Sequence, residues 1–385
     1  MIIEASNRVQ QVKAYYFATK MAQLAEMRQE GKDVINLGIG SPDLAPDDIV
    51  IDALVQSANN KNNHAYQSYA GLPELRDAMV IWYYKTYKVK LDRNKEVLPL
   101  IGSKEGIMHI SLAFLNPGDG VLVPNPGYPT YASVSKLVEA DLITYDLDAN
   151  NNWLPNLEEL KKKDLSKVKL MWVNYPNMPT GAPGDHTFFK ELIAFAKEYQ
   201  ILIVNDNPYS LVLQPNPSSI FQVEGAKEVC IELNSLSKSH NLAGWRVGML
   251  MGESEYIQAV LKVKSNVDTG MFKGLQEAAV EALMLEDDWT KQLDEIYEKR
   301  RKLVWQIMDK LNCTYNESYG GMFVWGKLPE GADSDAFVEN ILEQTFVFIT
   351  PGFIFGSNGE GFIRISLCAD EKVYEEVLER LNKLQ

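Results

Sequence analysis

The sequence has few of the residues that hold metals or form covalent cross-links. Its 385 residues include three cysteines and four histidines, which lie far apart and lack the spacing of a zinc site. An odd number of separated cysteines is typical of reduced, mostly buried thiols rather than of a disulfide framework. We therefore predict no metal site and no disulfides.

Long apolar runs and an excess of basic residues are also absent. No apolar segment is long enough to span a bilayer, and the N-terminal stretch lacks the apolar core of a signal peptide. The 38 Lys and Arg residues are outnumbered by 52 Asp and Glu residues, which gives a net charge of −14. Such acidity argues against binding to nucleic acid or to anionic membranes. We predict a cytoplasmic protein with neither partner, in which a local basic pocket could still bind a small anion.

Strands and helices alternate along the middle of the chain. From about 70 to 250, helical periodicity alternates with short β-rich runs such as "EVLPLIG", "GVLVPNP" and "ILIVNDNPY". This alternation predicts an α/β fold, with a mostly parallel sheet covered by helices on both faces. The C-terminal part mixes strands and helices, which predicts a smaller α+β domain. We expect segment 1–45 to pack on that small domain, a large domain at 46–290, and a linking helix with the small domain at 291–385.

The segment "SLSKSHNLAGWRVG" at 235–248 brings a lysine, hydroxyl groups and an arginine together. A partly buried lysine near another cation has a lowered pKa, and its neutral amine attacks carbonyl carbons. Ser235, Ser237 and Arg246 could together neutralise a phosphate group. The Ser-Lys pair around Lys238 is common in proteins, so only the whole segment indicates a function.

Two further turns follow predicted strands, where ligands of open α/β sheets gather. In "LIGSKEG", Ser103 and Lys104 stand at a helix N-terminus, which is either an anion site or an ordinary serine-capped turn. In "NDNPYS", Asp206 and Tyr209 follow an apolar strand. A carboxylate there needs a cation or a donor, although it could also cap a turn.

Two more residues could contact a ligand. Tyr128 in "NPGYPTY" could stack on a flat ring or belong to the core, and Arg364 in "FIRIS" could bind a carboxylate or face water. Combined, the motifs describe a flat heteroaromatic aldehyde that carries a phosphate. Pyridoxal 5′-phosphate has this chemistry and acts as an electron sink. A nucleotide-binding dehydrogenase is disfavoured, because the sequence has no GxGxxG after a first strand.

The ordered motifs resemble the class I/II, fold-type I family of pyridoxal-phosphate-dependent aminotransferases. The resemblance covers essentially the whole chain, from "INLGIGSPD" at 35–43 to "FIRISL" at 362–367, with "YQSYAGLPELR", "GSKEGI", "NPGYPTY", "YPNMPTG", "DNPYS" and "SLSKSHNLAGWRVG" between them in the family's order. It implies a large domain with a seven-stranded sheet. It also implies ping-pong transamination between an L-α-amino acid and a 2-oxo acid, with pyridoxal phosphate as cofactor.

The same resemblance implies roles at the cofactor. Lys238 carries it as a Schiff base, the internal aldimine, and then moves the proton between substrate Cα and cofactor C4′. Asp206 holds the pyridinium, Tyr209 hydrogen-bonds the ring hydroxylate, and Tyr128 stacks on the ring. The residues implied around the phosphate are Ser103, Lys104, Ser235, Ser237 and Arg246.

Substrate and subunit roles follow from the resemblance as well. Gly40 lets the backbone approach the substrate, and Arg364 binds its α-carboxylate. Tyr66 in "YQSYAG" reaches the phosphate of a neighbouring subunit, which implies a homodimer with shared active sites. We expect the segment 265–274 to enter the neighbour's site and to help set specificity, together with Tyr15.

One position departs from the family pattern. The residue before "PTG" is usually an asparagine that supports the ring hydroxylate, whereas this chain has Met178 there and Asn177 one place earlier. Either Tyr209 acts alone or Asn177 reaches in through a shifted backbone.

The preferred amino acid stays open among alanine, aspartate, aromatic amino acids, methionine and diaminopimelate. A C–S β-lyase on the same scaffold and a noncatalytic pyridoxal-phosphate-binding regulator are the alternative functions.

Overall fold

The computed structural model describes residues 3–12 and 16–384. Its helices are α1 Asn7–Gln10, α2 Tyr16–Gln29, α3 Asp48–Asn59, α4 Pro73–Tyr87, α5 Ser103–Phe114, α6 Pro129–Leu137, α7 Leu157–Leu160, α8 His186–Tyr199, α9 Leu236–Ser239, α10 Ser254–Lys264, α11 Lys273–Met284, α12 Asp287–Lys310, α13 Ser334–Thr345 and α14 Glu371–Asn382. Its strands are β1 Ile35–Asn36, β2 Val97–Leu100, β3 Gly120–Asn125, β4 Asp141–Asp146, β5 Val168–Val173, β6 Leu202–Asp206, β7 Cys230–Ser235, β8 Gly248–Gly252, β9 Thr314–Tyr315, β10 Phe323–Lys327, β11 Val347–Phe348, β12 Thr350–Pro351 and β13 Phe362–Ser366.

A seven-stranded sheet forms the centre of the molecule, in the order β2-β8-β7-β6-β5-β3-β4. Strands β7, β6, β5, β3 and β4 run parallel to one another, whereas β8 runs antiparallel to both β2 and β7. The register pairs Ile203 with Cys230 and Val204 with Ile231. This arrangement confirms the predicted α/β class with a mostly parallel sheet.

Helices cover both faces of this sheet because its strands are apolar on both sides. In β2, Leu98 packs into a core with α5, α6 and α10, whereas Val97 packs into a second core with α4, α8 and α11. Strands buried on both faces carry near-continuous apolar runs rather than alternating ones. The β-rich segments of the sequence could be identified for this reason.

The C-terminal part forms a second, four-stranded sheet in the order β12-β13-β10-β9, with antiparallel pairs. The N-terminal segment joins this part: β1 pairs with β11, Lys20 forms an ion pair with Glu339, and Asp33 forms one with Arg380. The domain boundaries at 45/46 and 290/291 stay predictions.

The described helices include none with the length and apolar character needed to cross a membrane. Cys230, Cys313 and Cys368 are free thiols.

Candidate functional site

A cavity of about 370 Å³ opens where the strands of the large sheet end. Tyr128 follows β3, Asn174 follows β5, Asp206 ends β6 and Ser235 ends β7, so parallel strands deliver these side chains to one edge. The lining is Phe17, Ile39, Gly40, Ser103, Lys104, Tyr128, Tyr131, Asn174, Met178, Asp206, Pro208, Tyr209, Ser235, Ser237, Lys238, Ala243, Arg246, Phe323, Phe355 and Arg364.

The sequence predicted twelve site residues, and eleven of them line this cavity, although they come from distant parts of the chain. The exception is Tyr66, which is 90% exposed and does not line the cavity. Tyr15 lies outside the described residues.

Lys238 projects into the cavity from the short helix α9, which Ser235 begins by accepting a hydrogen bond from the Ser237 amide. Its Nζ donates a hydrogen bond to the carbonyl oxygen of Gly40. Burial lowers the pKa of the Lys238 ammonium, and the positive charges of Arg364 and Arg246 act in the same direction. A larger neutral fraction makes this amine a better nucleophile.

Asp206 is a buried carboxyl group at the end of β6, with 4% of its surface exposed. Its Oδ2 accepts a hydrogen bond from Tyr131 at 2.8 Å, whereas Oδ1 has no partner among the described residues. Burial raises the pKa of Asp206 to about 6. A cationic donor placed beside Oδ1 would favour the charged carboxylate.

The cavity has a hydroxyl-cation end, which we define by Ser103, Lys104, Ser235, Ser237 and Arg246. The Ser235 and Ser237 hydroxyls are 2.9 Å apart, and Arg246 Nη1 lies 3.4 Å from Ser237 Oγ. The twelve-residue helix α5 begins here, and backbone amides at a helix N-terminus attract anions.

Gly102 is required at this end of the cavity. It has φ +79°, and a Cβ atom built there would lie 2.2 Å from Arg246 Nη2. Any larger residue would therefore displace the guanidinium.

We define the apolar end of the cavity by Phe17, Ile39, Met178, Phe323 and Phe355. Arg364 is buried among them. Its Nη2 donates to the Gly38 carbonyl at 2.7 Å, and its guanidinium carbon lies 3.9 Å from the centre of the Phe323 ring.

The structure shows which residue near "PTG" faces the cavity. Met178 lines it, with its sulfur 3.3 Å from Arg364 Nη1. Asn177 does not line it, because its Oδ1 accepts the Thr180 hydroxyl at 2.7 Å and its Nδ2 donates to the Asn174 carbonyl. Asn177 therefore holds the turn and does not supply an amide to the cavity.

Sequence reasoning missed several lining residues. Tyr131 lies within the quoted "NPGYPTY", but its hydrogen bond to Asp206 depends on folding. Asn174 directly follows β5 and donates to the Asp206 backbone carbonyl. Its position at the end of a strand could have indicated that it belongs to the site. Phe17 and Phe323 carry no local signal, because buried aromatic residues are ordinarily part of a core.

These residues fit a flat, phosphorylated heteroaromatic ring. The unpaired Oδ1 of Asp206 fits a cationic ring N–H, and the hydroxyl-cation end fits a phosphate. Lys238 lines the same cavity, and a neutral lysine amine is the group that reacts with a carbonyl carbon.

Comparison with known proteins gives consistent results. The model of the family described as aminotransferase class I and II matches residues 32–381. The LL-diaminopimelate aminotransferase of Maridesulfovibrio salexigens is 42% identical and covers 98% of both chains, and that of Aquifex aeolicus is 40% identical and covers 100% of both. Substrate-bound BacF from Bacillus subtilis has a TM-score of 0.94 and 35% identity, over 100% of this chain and 98% of that one.

Proposed function

Because the chain belongs to the class I and II aminotransferase family, and so catalyses transamination with pyridoxal 5′-phosphate, we propose that the cavity around Lys238 is its active site. The observation that carries this proposal is the pairing of Lys238 with Asp206 in one cavity. The amine has a lowered pKa, and the carboxyl group has a buried, unpaired oxygen.

When bound, the cofactor supplies an aldehyde that accepts the amino group and a ring that takes up electron density. We assign Lys238 as the residue that binds this aldehyde and later carries the proton to and from the substrate Cα. Asp206 would hold the ring nitrogen in its cationic form. Tyr128 would lie against the ring face, and Tyr209 would donate to the ring oxygen.

The hydroxyl-cation end would bind the phosphate. Arg246 supplies a guanidinium, whose fork of donors suits phosphate oxygens, and the serine hydroxyls beside it add further donors. Ser103 and Lys104 stand at the N-terminus of α5. Together these groups would fix the position of the cofactor before the substrate arrives.

The apolar end would receive the substrate. Arg364 would bind its α-carboxylate, because the guanidinium lies in the cavity wall beside Gly38 and Met178. Gly40 would allow close approach of the substrate to the backbone, since even a Cβ atom there would lie 2.2 Å from Phe323 Cζ. Diaminopimelate, which the relatives' names specify, is one candidate donor.

We propose that the enzyme is a cytoplasmic homodimer that shares its active sites. Its three free thiols suit a reducing compartment. Tyr66 is 90% exposed in one protomer, and we assign its hydroxyl to the phosphate of a second protomer, as the resemblance of "YQSYAG" to the family motif implies.

Reduction of the yellow holoenzyme with borohydride, followed by peptide mass spectrometry, tests the assignment of Lys238. We expect the cofactor on the peptide that contains Lys238. Lys238→Ala should lose the covalent label and at least about a thousandfold in turnover, the size of a lost acid–base group. The control Lys262→Ala removes an exposed lysine and should retain both. Near-normal turnover in Lys238→Ala would overturn the assignment.

A further inference from the structure

The charged groups that line the cavity are few. They are Lys104, Asp206, Lys238, Arg246 and Arg364. Under the proposed function, the first four serve the cofactor and Arg364 serves the α-carboxylate of the substrate. Among the described residues, the lining therefore offers no further charged side chain for a second carboxylate or ammonium group on the substrate.

The walls around Arg364 are apolar and largely aromatic. Its guanidinium carbon lies 3.9 Å from the ring centre of Phe323, 4.7 Å from that of Phe355 and 5.9 Å from that of Phe17. Ile39 contributes an aliphatic side chain. A substrate whose α-carboxylate meets Arg364 thus has aromatic and aliphatic surfaces next to it.

Met178 extends this apolar wall. Its thioether lies 3.3 Å from Arg364 Nη1, and the neighbouring Asn177 is occupied in the turn. Methionine adapts its shape to apolar ligands and contacts aromatic rings favourably. The chain therefore places an apolar, deformable side chain where an amide would have offered a hydrogen bond.

The segment 265–274, which we propose enters a second protomer's site, also brings little free charge. Asp268 is bound by Lys264 of its own chain at 2.7 Å, and Lys273 lies 3.4 Å from Glu277. Val267 is the exposed large apolar residue of this segment, with 64% of its surface accessible.

We infer that the amino donor carries a large apolar side chain, aromatic or long aliphatic, and no second charged group. This inference rests on the proposed function, because it takes Arg364 as the α-carboxylate site. A donor such as diaminopimelate has an ammonium and a carboxylate at its far end, and burying them without partners is costly. An aromatic side chain would instead replace water against the phenylalanine rings.

The first experiment compares donors with the holoenzyme. We expect kcat/KM for phenylalanine, leucine or methionine to exceed that for LL-diaminopimelate, glutamate, aspartate and lysine by about tenfold or more. Calorimetry with unreactive acids provides a readout without turnover, and 3-phenylpropanoate should bind more tightly than glutarate. A preference for diaminopimelate or a dicarboxylate would overturn the inference and leave transamination intact. Failure of every amino acid to react would overturn the proposed function itself.

A variant at the cavity mouth tests the same point by gain of function. Ile39→Lys adds a cation at a position that is 39% exposed, so the fold should tolerate it. We expect the ratio of kcat/KM for glutamate to that for phenylalanine to rise about tenfold. The control Ile81→Lys makes the same charge change at an exposed site on α4, outside the cavity lining, and should leave the ratio unchanged. An equal ratio in both variants would show that Ile39 does not contact the substrate side chain and would contradict the inferred pocket.

Discussion

Asp206 is an enclosed carboxyl group whose Oδ1 lacks a partner in the described part of the chain. Burial raises its pKa from 3.8 to about 6, so the folded protein without cofactor binds a proton there more strongly than the unfolded chain does. The cofactor's ring nitrogen would reverse this effect, because a neighbouring cation favours the carboxylate.

The pH dependence of stability tests this account of Asp206. Because the pKa of Asp206 is higher in the folded protein than in the unfolded chain, protonation of this carboxyl group adds to the free energy of unfolding. This contribution is complete below pH 3.8 and is lost as the pH rises to about 6. The loss amounts to about 3 kcal/mol in the apoenzyme. The Asp206→Asn apoenzyme has no carboxyl group to titrate at this place. Its free energy of unfolding in urea should therefore change less between pH 4 and 7 than that of the wild-type apoenzyme. Parallel profiles for the two proteins would contradict the account.

At the residue level, the polar side chains of the cavity could be predicted from the sequence, whereas its apolar side chains could not. A carboxylate after "ILIVN" and a lysine after "NSLS" stand out because polar groups at the ends of buried strands need partners. Phe323 and Phe355 do not stand out, because the same residue type fills the core. The apolar end of the cavity could be identified only from the folded chain.

At the level of elements, an ion-pair network ties α5 to α10. Lys264 Nζ lies 2.7 Å from Asp268 Oδ1 and 3.3 Å from Glu105 Oε1, and His109 Nε2 lies 2.8 Å from the same Glu105 oxygen. Lys264 is almost fully buried, and its ammonium lies between the two carboxylates. The network thus connects the helix that begins at the hydroxyl-cation end with the segment that follows α10.

Lys264→Met should destabilise the protein by about 3 kcal/mol, because it leaves two carboxylates without their cation in a largely buried place. Chemical denaturation measures the loss. The double variant Lys264→Met/Asp268→Leu should recover part of it, since it removes one unpaired charge. The exposed control Lys262→Met should change little. If Lys264→Met lowered the free energy of unfolding as little as Lys262→Met does, the network would be unimportant for stability.

The elements themselves could largely be read from periodicity, but their arrangement could not. The apolar runs of β2, β6 and β7 indicate buried strands, and the alternation with helices indicates a parallel sheet. Nothing local indicates that β8 runs antiparallel between β2 and β7, because strand order depends on contacts distant in sequence.

At the level of the whole molecule, shared active sites predict complementation between two inactive variants. Lys238→Ala lacks the lysine, and Tyr66→Ala lacks the hydroxyl proposed to reach the second protomer. In a hybrid dimer, one site would hold both changes and the other neither. Coexpression should restore about a quarter of wild-type activity, since half of the dimers are hybrids with one intact site. No recovery above that of the separate variants would place Tyr66 in its own protomer's site or outside catalysis.

The most direct test of transamination is a single half-reaction. The holoenzyme is mixed with phenylalanine in the absence of any 2-oxo acid, and the visible spectrum, 2-oxo acid and ammonia are followed. We predict that one 2-oxo acid forms per site, that the yellow colour is lost, and that an added 2-oxo acid restores it. Ammonia that accumulates over many turnovers while the yellow colour persists would contradict transamination and indicate a lyase.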